Sequence, residues 1–166
     1  MDLKETLKYY KINSIWHFTD LSNLASIKKN GLLSLYSLTK NNINVSCYGA
    51  DELSHYLDRK KGLDKYIHLS LIKEHPMQYL KTKQGIIQNP IWLEIDTSVL
   101  FENESGCCSQ IANASSSICY MIEKLSKIID LDNLINNKNC KYEIKKAQLL
   151  VANKIEYTKV KAIHYG

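Results

Sequence analysis

The chain of 166 residues is 45% hydrophobic and 23% charged, which predicts one globular domain over residues 1–166 and excludes a disordered or fibrous protein. No apolar run approaches the roughly 18 residues that span a bilayer, and the polar N-terminus lacks the apolar stretch of a secretory signal, so we expect a cytoplasmic protein without membrane contact. The net charge of +5, carried almost entirely by lysine, is compatible with a polyanionic partner and equally with an AT-rich genome.

The N-terminal part of the chain predicts a strand followed by a helix. Residues 14–18 indicate a short strand that ends near His17. Asp20 is a plausible N-cap, because apolar residues then recur at helical spacing over residues 21–27. Gly31 ends that helix, since glycine can adopt the left-handed conformation that a helix terminus favours. The chain is therefore expected to open with a strand, a turn and a helix.

The middle of the chain predicts a long polar loop and then two strands. Residues 40–65 are polar and rich in asparagine, which indicates a loop with one helical turn near residues 51–58. Residues 66–72 alternate in hydrophobicity and predict a strand whose odd-numbered residues face the core, terminated by the segment 75–77. Residues 91–96 alternate again and form the clearest strand of the sequence.

The C-terminal part predicts a polar loop, a helix and two closing strands. Residues 102–117 are small and polar, residues 118–129 carry apolar side chains at a helical period, and residues 133–139 form an asparagine-rich connector. Residues 147–152 and 158–164 indicate the last two strands. Together these elements predict a mixed α+β domain with several short strands and two or three helices.

The five cysteines give no sign of a metal site or of a disulfide framework. Their number is odd, and no two of them have the CxxC spacing typical of zinc ligands. The adjacent Cys107 and Cys108 cannot easily chelate one zinc ion or bridge to each other. We therefore expect free thiols in a reducing compartment and no bound metal.

Short segments along the chain follow the order of one known family. They are WHFT (16–19), NL (23–24), GLL (31–33), YIHL (66–69), HPM (75–77), LEID (93–96), IANA (111–114) and AQLLV (147–151). Together they resemble the DarT family of DNA ADP-ribosyltransferases over residues 15 to 163, which is nearly the whole chain. The last segment is similar to the strand that carries the catalytic acid of the family.

The resemblance implies a compact ADP-ribosyltransferase fold, in which a split, mostly antiparallel central sheet with flanking helices holds NAD+ in a central cleft. It also implies a toxin that modifies single-stranded DNA and needs NAD+ as its co-substrate but no metal. In this family the toxin is paired with a macrodomain antitoxin that removes the modification, in systems of the phage-defence type. We expect the protein itself to be a monomer.

The resemblance places the NAD+ site where the first strand meets the first helix. It implies that His17, Thr19 and Asn23 contact NAD+, with His17 hydrogen-bonded to a ribose, and that Met77 lines the cofactor or base pocket. A helix N-terminus also suits a pyrophosphate electrostatically. The alternatives are structural, because His17 can be a buried core histidine and Thr19 and Asn23 can cap the helix. Met77 can equally pack in the core.

Arg59 is the only arginine in a chain that otherwise uses lysine. Its planar guanidinium matches a phosphate or carboxylate in a bidentate way that lysine does not reproduce. The family has an essential arginine ahead of its tyrosine strand, so the resemblance implies that Arg59 binds a phosphate of NAD+ or acts in catalysis; the alternative is a surface residue. Asn113 is expected to contact the target nucleotide or to form a simple turn, and Tyr48 is a candidate for stacking on a base.

The pattern of the family has a glutamate where this chain has Gln148. A carboxylate there can stabilise the cationic ribose and act as a base toward the nucleobase, whereas an amide keeps the shape but loses the charge and the basicity. We therefore expect binding of NAD+ and DNA with very poor transfer of ADP-ribose. The glutamine is either an inactivating substitution or a natural variant with altered chemistry. Glu143 and Glu156 are the nearest carboxylates in the sequence, and neither fits the pattern.

Three alternatives compete with this prediction. The same fold can act on RNA or protein instead of DNA. It can also be a nucleic-acid-binding relative that has lost catalysis and binds DNA in a salt-sensitive way without NAD+. The third alternative is a soluble α+β protein whose pattern is coincidental. Among the bases of DNA, the resemblance favours thymine first and guanine second.

Overall fold

The computed structural model describes residues 1–48 and 52–166 as a mixture of helices and antiparallel strands. Its strands, β1 to β9 in chain order, are Ser14–Asp20, Leu32–Leu33, Tyr66–Leu69, Pro90–Asp96, Ser105–Cys108, Tyr120–Met121, Gln148–Ala152, Lys154–Ile155 and Val160–Tyr165. Its α-helices, α1 to α8, are Leu3–Tyr9, Leu24–Asn30, Leu35–Lys40, Glu52–Lys61, Pro76–Lys83, Val99–Glu102, Leu125–Ile128 and Tyr142–Lys145. Within the described residues no helix is both long enough and apolar enough to cross a membrane.

Two antiparallel sheets form the centre of the fold. Strand β4 pairs with β1 on one side and with β9 on the other, and His17 of β1 lies opposite Leu93. The second sheet has the order β3-β7-β5-β6, and β2 pairs separately with β8. Trp16 and Ser70 exchange two backbone hydrogen bonds of 2.8 Å, which connect the two sheets at one point. The predicted α+β class with a split, antiparallel central sheet is therefore confirmed.

Strand alternation decides which side chains face the core. In β3, Ile67 and Leu69 are buried, as expected, while the residues between them are only partly covered. Strand β7 lies between β3 and β5 and is buried along its whole length, because both of its faces are covered. Gln148 is the first residue of this strand and is itself buried. The five cysteines of the chain are free thiols, as predicted.

The predicted opening of strand, turn and helix is confirmed. Asp20 caps a 3-10 turn over Leu21–Asn23 by accepting a hydrogen bond of 2.9 Å from the Ser22 amide, and α2 follows that turn directly. Gly31 ends α2 with a positive φ of 83°, although its ψ of 174° is extended rather than left-handed helical. A Cβ at this position would lie 2.9 Å from the carbonyl oxygen of Ile155, so only glycine fits.

The segment predicted as a long loop has no helix or strand over residues 41–48, but it is helical over Glu52–Lys61, so the prediction was wrong for its second part, where the single expected turn is a helix of ten residues. Helix α4 extends over Glu52–Lys61, and residue 51 of the predicted single turn lies outside the described residues. Its sequence consists mainly of good helix formers, and Gly62 follows with a left-handed φ of 71°. Helix α4 is polar because only one of its faces packs against the rest of the protein, and such a composition is also typical of a loop.

Two further predictions of local structure were wrong. The polar stretch 102–117 contains β5, and the apolar stretch 118–129 is not one helix. Its first part is strand β6, which pairs with β5, and a 3-10 turn and the short α7 follow. The reason is that Ile118 and Met121 are exposed, so only the later apolar residues of the helical pattern pack against the core.

The segments 75–77 and 133–139 also carry more structure than expected. His75 does not merely terminate a strand; its Nδ1 accepts a hydrogen bond of 3.1 Å from the Met77 amide and caps helix α5. Pro76 occupies the first position of that helix, where its missing N–H costs nothing. A short helical turn, Asp132–Asn136, covers part of the predicted connector.

Candidate functional site

One cleft, with a volume of about 270 Å³, is lined by strands β1 and β3, helices α2, α3 and α4 and the loop after β5. It contains the predicted site residues His17, Thr19, Asn23, Tyr48, Met77, Asn113 and Gln148. These residues come from segments that are far apart in the sequence, so only the fold brings them together. Arg59 is different, because it is exposed on α4 and does not line this cleft. Its role in phosphate binding or catalysis stays a prediction.

His17 enters the cleft as a neutral imidazole. Burial lowers the pKa of His17 to about 4, so the ring carries no charge at neutral pH. Its Nδ1 lies 3.0 Å from the carbonyl oxygen of His68, and because a carbonyl can only accept, Nδ1 carries the proton. A neutral imidazole has one N–H, so its Nε2 is left as an acceptor. The ring can therefore accept a hydrogen bond from a hydroxyl group in the cleft.

Thr19 and Asn23 belong to a hydrogen-bonded group at the beginning of α2. The side-chain Nδ2 of Asn23 donates to Thr19 Oγ1 at 3.0 Å and to the backbone carbonyl of Cys47. The side-chain Oδ1 of Asn23 accepts a hydrogen bond of 3.1 Å from the backbone amide of Cys47. Asn23 makes no side-chain hydrogen bond that caps α2, so the predicted alternative of a capping role is wrong for this residue. Asn23 instead holds the chain around Cys47 against the cleft.

Asp20 anchors the end of β1 next to this group. Its Oδ2 accepts hydrogen bonds of 2.9 Å from the amides of Gln88 and Asn89, while its Oδ1 accepts from Ser22. These bonds, the one from the Asn89 amide first, hold the pKa of Asp20 at about 2, well below its ordinary value. The buried carboxylate thus fixes the wall that carries His17 and Thr19.

Gln148 is bound to the backbone of the loop that carries Asn113. Its Oε1 accepts a hydrogen bond of 2.9 Å from the Ala112 amide, and both groups are buried. Gln148 lies opposite Cys108 in the register of β7 and β5, so the loop after β5 returns to the strand beside it. A glutamate at this position can accept the same hydrogen bond, and it would add a negative charge to the cleft.

Met77 and Tyr48 line the cleft on its periphery. Met77, half-buried at the start of α5, contributes an apolar side chain to the lining. Tyr48 is exposed, and its ring meets that of His55 edge to face, with centroids 4.9 Å apart. An exposed aromatic ring at the rim of a cleft is the geometry that base stacking requires.

His68 and Asp58 are among the polar residues that line the cleft but were not predicted from the sequence. His68 projects from β3, and Asp58 projects from α4 with a side chain that is 13% exposed. The signal in the sequence that points to Asp58 is its place beside Arg59, but the polar composition of the segment does not indicate which helical face meets the protein. Among the described residues there is no cluster of three or more metal-ligating side chains.

The chain matches one family model, described as "DarT: ssDNA thymidine ADP-ribosyltransferase, DarT", over residues 16–165. No functionally curated protein matches it in sequence. Solved structures do match. The DarTG protein of Thermosipho africanus in complex with ADP-ribose has a TM-score of 0.73 and 19% identity, and the match covers 91% of this chain and 43% of that one.

The DarT of Thermus sp. 2.9 is similar in two complexes. With ADP-ribosylated ssDNA it has a TM-score of 0.71 and 16% identity, and with NAD+ it has a TM-score of 0.65 and 15% identity. Each match covers 92% of this chain and 81% of the Thermus chain. The present chain therefore spans less than half of the DarTG protein and most of the DarT protein. At these identities the likeness shows a shared ADP-ribosyltransferase fold.

Proposed function

The chain belongs to the DarT family, whose model describes ssDNA thymidine ADP-ribosyltransferases, and from that premise we propose that it binds NAD+ in the cleft and transfers ADP-ribose to a thymine base of single-stranded DNA. The observation that carries this proposal is that side chains from the family-like segments line one cavity. They come from the first strand, from the loop with Asn113 and from the strand with Gln148. A single cavity of this kind can hold both reactants next to each other.

In this proposal the wall with His17 binds NAD+. Nε2 of the neutral imidazole accepts a hydrogen bond from a ribose hydroxyl. Thr19 and Asn23 position the start of α2 beside the pyrophosphate. The half-buried Met77 covers the apolar side of the pocket. A neutral histidine suits this role, because a cationic one would repel the positive nicotinamide ring. Arg59 is assigned to a phosphate of NAD+ or of DNA in the same proposal.

The reaction breaks the bond between the ribose C1″ and the nicotinamide nitrogen, and the electron pair leaves with nicotinamide. The resulting positive charge on the ribose is stabilised by nearby negative or dipolar groups. Gln148 offers an amide oxygen at the place where the family has a carboxylate, and that oxygen is already bound to the Ala112 amide. We therefore propose that this chain transfers ADP-ribose slowly, because its amide supplies neither charge nor basicity.

The proposal extends to the setting in which the reaction occurs. A related structure is named DarTG, which supports pairing with a DarG-type macrodomain antitoxin that removes the modification. We propose that the chain acts as a monomeric toxin in the cytoplasm, in a toxin–antitoxin system used in phage defence. Asn113 and Tyr48 are assigned to the target nucleotide, Tyr48 by stacking on a base at the rim.

The test is an assay with labelled NAD+ on the purified chain and on the Gln148→Glu variant. The substrates are thymine-containing single-stranded DNA, the same DNA without thymine, the corresponding RNA and a mixture of proteins. We expect thymine-dependent labelling of DNA alone, slow for the chain with Gln148 and fast for the variant. If the variant labels guanine, RNA or protein instead, the target in the proposal is wrong. If it labels nothing, the reaction itself is wrong.

One observation favours a second candidate function. Because Gln148 leaves the cleft without the carboxylate of the family, the chain can be a relative that binds DNA and no longer transfers ADP-ribose. It then binds single-stranded DNA with a strong dependence on salt, and NAD+ does not change that affinity. Measuring DNA affinity with and without NAD+ distinguishes the two functions, since a transferase binds both in one cleft.

A further inference from the structure

Asp58 carries a carboxylate that lines the cleft but lies outside the family-like segments of the sequence. Helix α4 places it in the lining of the same cavity as Gln148 and Asn113. Its Oδ1 is buried and accepts no hydrogen bond among the described residues. A buried carboxylate oxygen without a donor is costly, so such groups are kept where a bound partner supplies the missing interaction.

The surroundings of Asp58 fix it beside the loop that binds Gln148. The Asn113 side chain lies beside the Asp58 carboxylate and lowers its pKa, and the neighbouring Ala112 amide donates to Gln148. Lys61 lies one turn further along the same face of α4, and its Nζ donates to three carbonyls of this loop, including that of Ala112 at 3.3 Å. Lys61 of α4 and Gln148 of β7 are thus both hydrogen-bonded to this loop.

The electrostatic environment makes Asp58 a stronger base than an ordinary aspartate. Burial raises the pKa of its carboxyl, and this effect exceeds the opposite one of His68 and Asn113. His68 Nε2 lies 4.0 Å from Oδ1, which is beyond hydrogen-bonding distance. His55 and Asp64 are the other titratable groups that act on this carboxyl, His55 lowering its pKa and Asp64 raising it. A base whose pKa lies closer to neutrality removes protons more effectively in the transition state.

We propose that Asp58 supplies the carboxylate that Gln148 lacks and takes the proton of the target base during transfer. The proposal rests on the function proposed above. The C1″–nicotinamide bond breaks and its electron pair leaves with nicotinamide. The N3 nitrogen of thymine forms the new bond to C1″, and the proton of N3 passes to the Asp58 carboxylate, which later releases it to water. In this proposal Asp58 is the base for the slow transfer that we propose for a chain with glutamine at position 148.

The test uses the unchanged chain and the variants Asp58→Asn, Gln148→Glu and the double variant, each assayed for transfer to thymine-containing DNA and for NAD+ affinity. In the chain with Gln148, Asp58→Asn is expected to lower the transfer rate by about 100-fold or more, the range of a lost general base. NAD+ affinity is expected to change less than about threefold. In the Gln148→Glu background the same substitution is expected to lower the rate less than about tenfold, because the carboxylate introduced at position 148 can take the proton.

Two controls separate chemistry from folding. Asp132→Asn removes the same charge from an exposed site outside the cleft and is expected to leave the rate unchanged. Asp58→Glu keeps the carboxylate and is expected to retain at least a tenth of the transfer rate of the unchanged chain, with a pH profile of the same form. Equal losses in both backgrounds would overturn the role of Asp58, and so would an unchanged rate in Asp58→Asn. If Gln148→Glu transfers while the unchanged chain does not, the role of Asp58 fails and the proposed function stands. If no chain transfers, the proposed function itself fails.

Discussion

The two walls of the cleft differ in how their polar groups are held. On the β1 wall, formed by His17, Thr19 and Asn23, each polar side chain has a hydrogen-bond partner within the protein. On the α4 wall, formed by Asp58, Asn113 and Gln148, a buried carboxylate oxygen of Asp58 has no donor among the described residues. The β1 wall is thus held by hydrogen bonds within the protein, whereas the α4 wall keeps one buried oxygen without a donor, on the carboxylate to which we assign the proton of the target base.

The largest effect on the transfer rate is expected from a negative charge added to the α4 wall at position 148. Gln148→Glu adds a carboxylate that still accepts the hydrogen bond of the Ala112 amide. We expect the transfer rate to rise by about 100-fold or more, because a positioned base and a negative charge act on the transition state. Single-turnover assays with saturating NAD+ measure it. Gln148→Ala is the control, and an equal rise in that variant would show that removal of the amide, not the new charge, matters.

The β1 wall is expected to depend on the Asp20 carboxylate at low pH. Its pKa is about 2 in the fold against an ordinary 3.8, so its stabilisation is complete above about pH 5 and is lost as the pH falls through 3.8 toward 2. Asp20→Asn should therefore cost about 2 kcal/mol of unfolding free energy at pH 7 and less at pH 3. Urea unfolding at both pH values checks this. The exposed Asp132→Asn should cost less than about 0.5 kcal/mol, and a similar cost in both variants would contradict the prediction.

His17 is expected to govern binding rather than catalysis. His17→Ala removes an acceptor from the cleft and the donor to the His68 carbonyl. We expect NAD+ affinity to fall about tenfold, which corresponds to the loss of one buried hydrogen bond. Calorimetric titration with NAD+ measures the effect, and His164→Ala removes a histidine on β9, outside the cleft, as the control. A change in the transfer rate at saturating NAD+ with unchanged NAD+ affinity would show that His17 acts in catalysis rather than in binding.

Lys61 is expected to give the smallest effect. Lys61→Met keeps the length of the side chain but removes the three hydrogen bonds to the carbonyls of the loop with Asn113. Because the loop then moves relative to Asp58, we expect the transfer rate of Gln148→Glu to fall by about fivefold with little change in NAD+ affinity. Lys60→Met, at the adjacent exposed position of α4, is the matched control. Equal losses in both variants would point to general charge rather than to the loop.

From the sequence, the β1 wall and the Gln148 and Asn113 positions of the α4 wall could be predicted, whereas Asp58 and helix α4 could not. The strands with His17 and Gln148 alternate or are continuously apolar, so their periodicity was sufficient to place them. Helix α4 has a polar composition that fits a loop as well as a helix. Its cleft-facing side is defined by contacts with a loop more than fifty residues away, which no local pattern contains.

Sequence alone determined the order of the family-like segments, the strands that carry them and the presence of glutamine at position 148. Those features are local, because a strand or a residue type is written in consecutive positions. Only the tertiary structure decided that Asp58 faces the cleft, that Arg59 beside it is exposed, and that the apolar stretch after residue 117 is divided between a strand and short helices. The physical reason is that the direction of a side chain on a helix depends on which face packs against the rest of the protein.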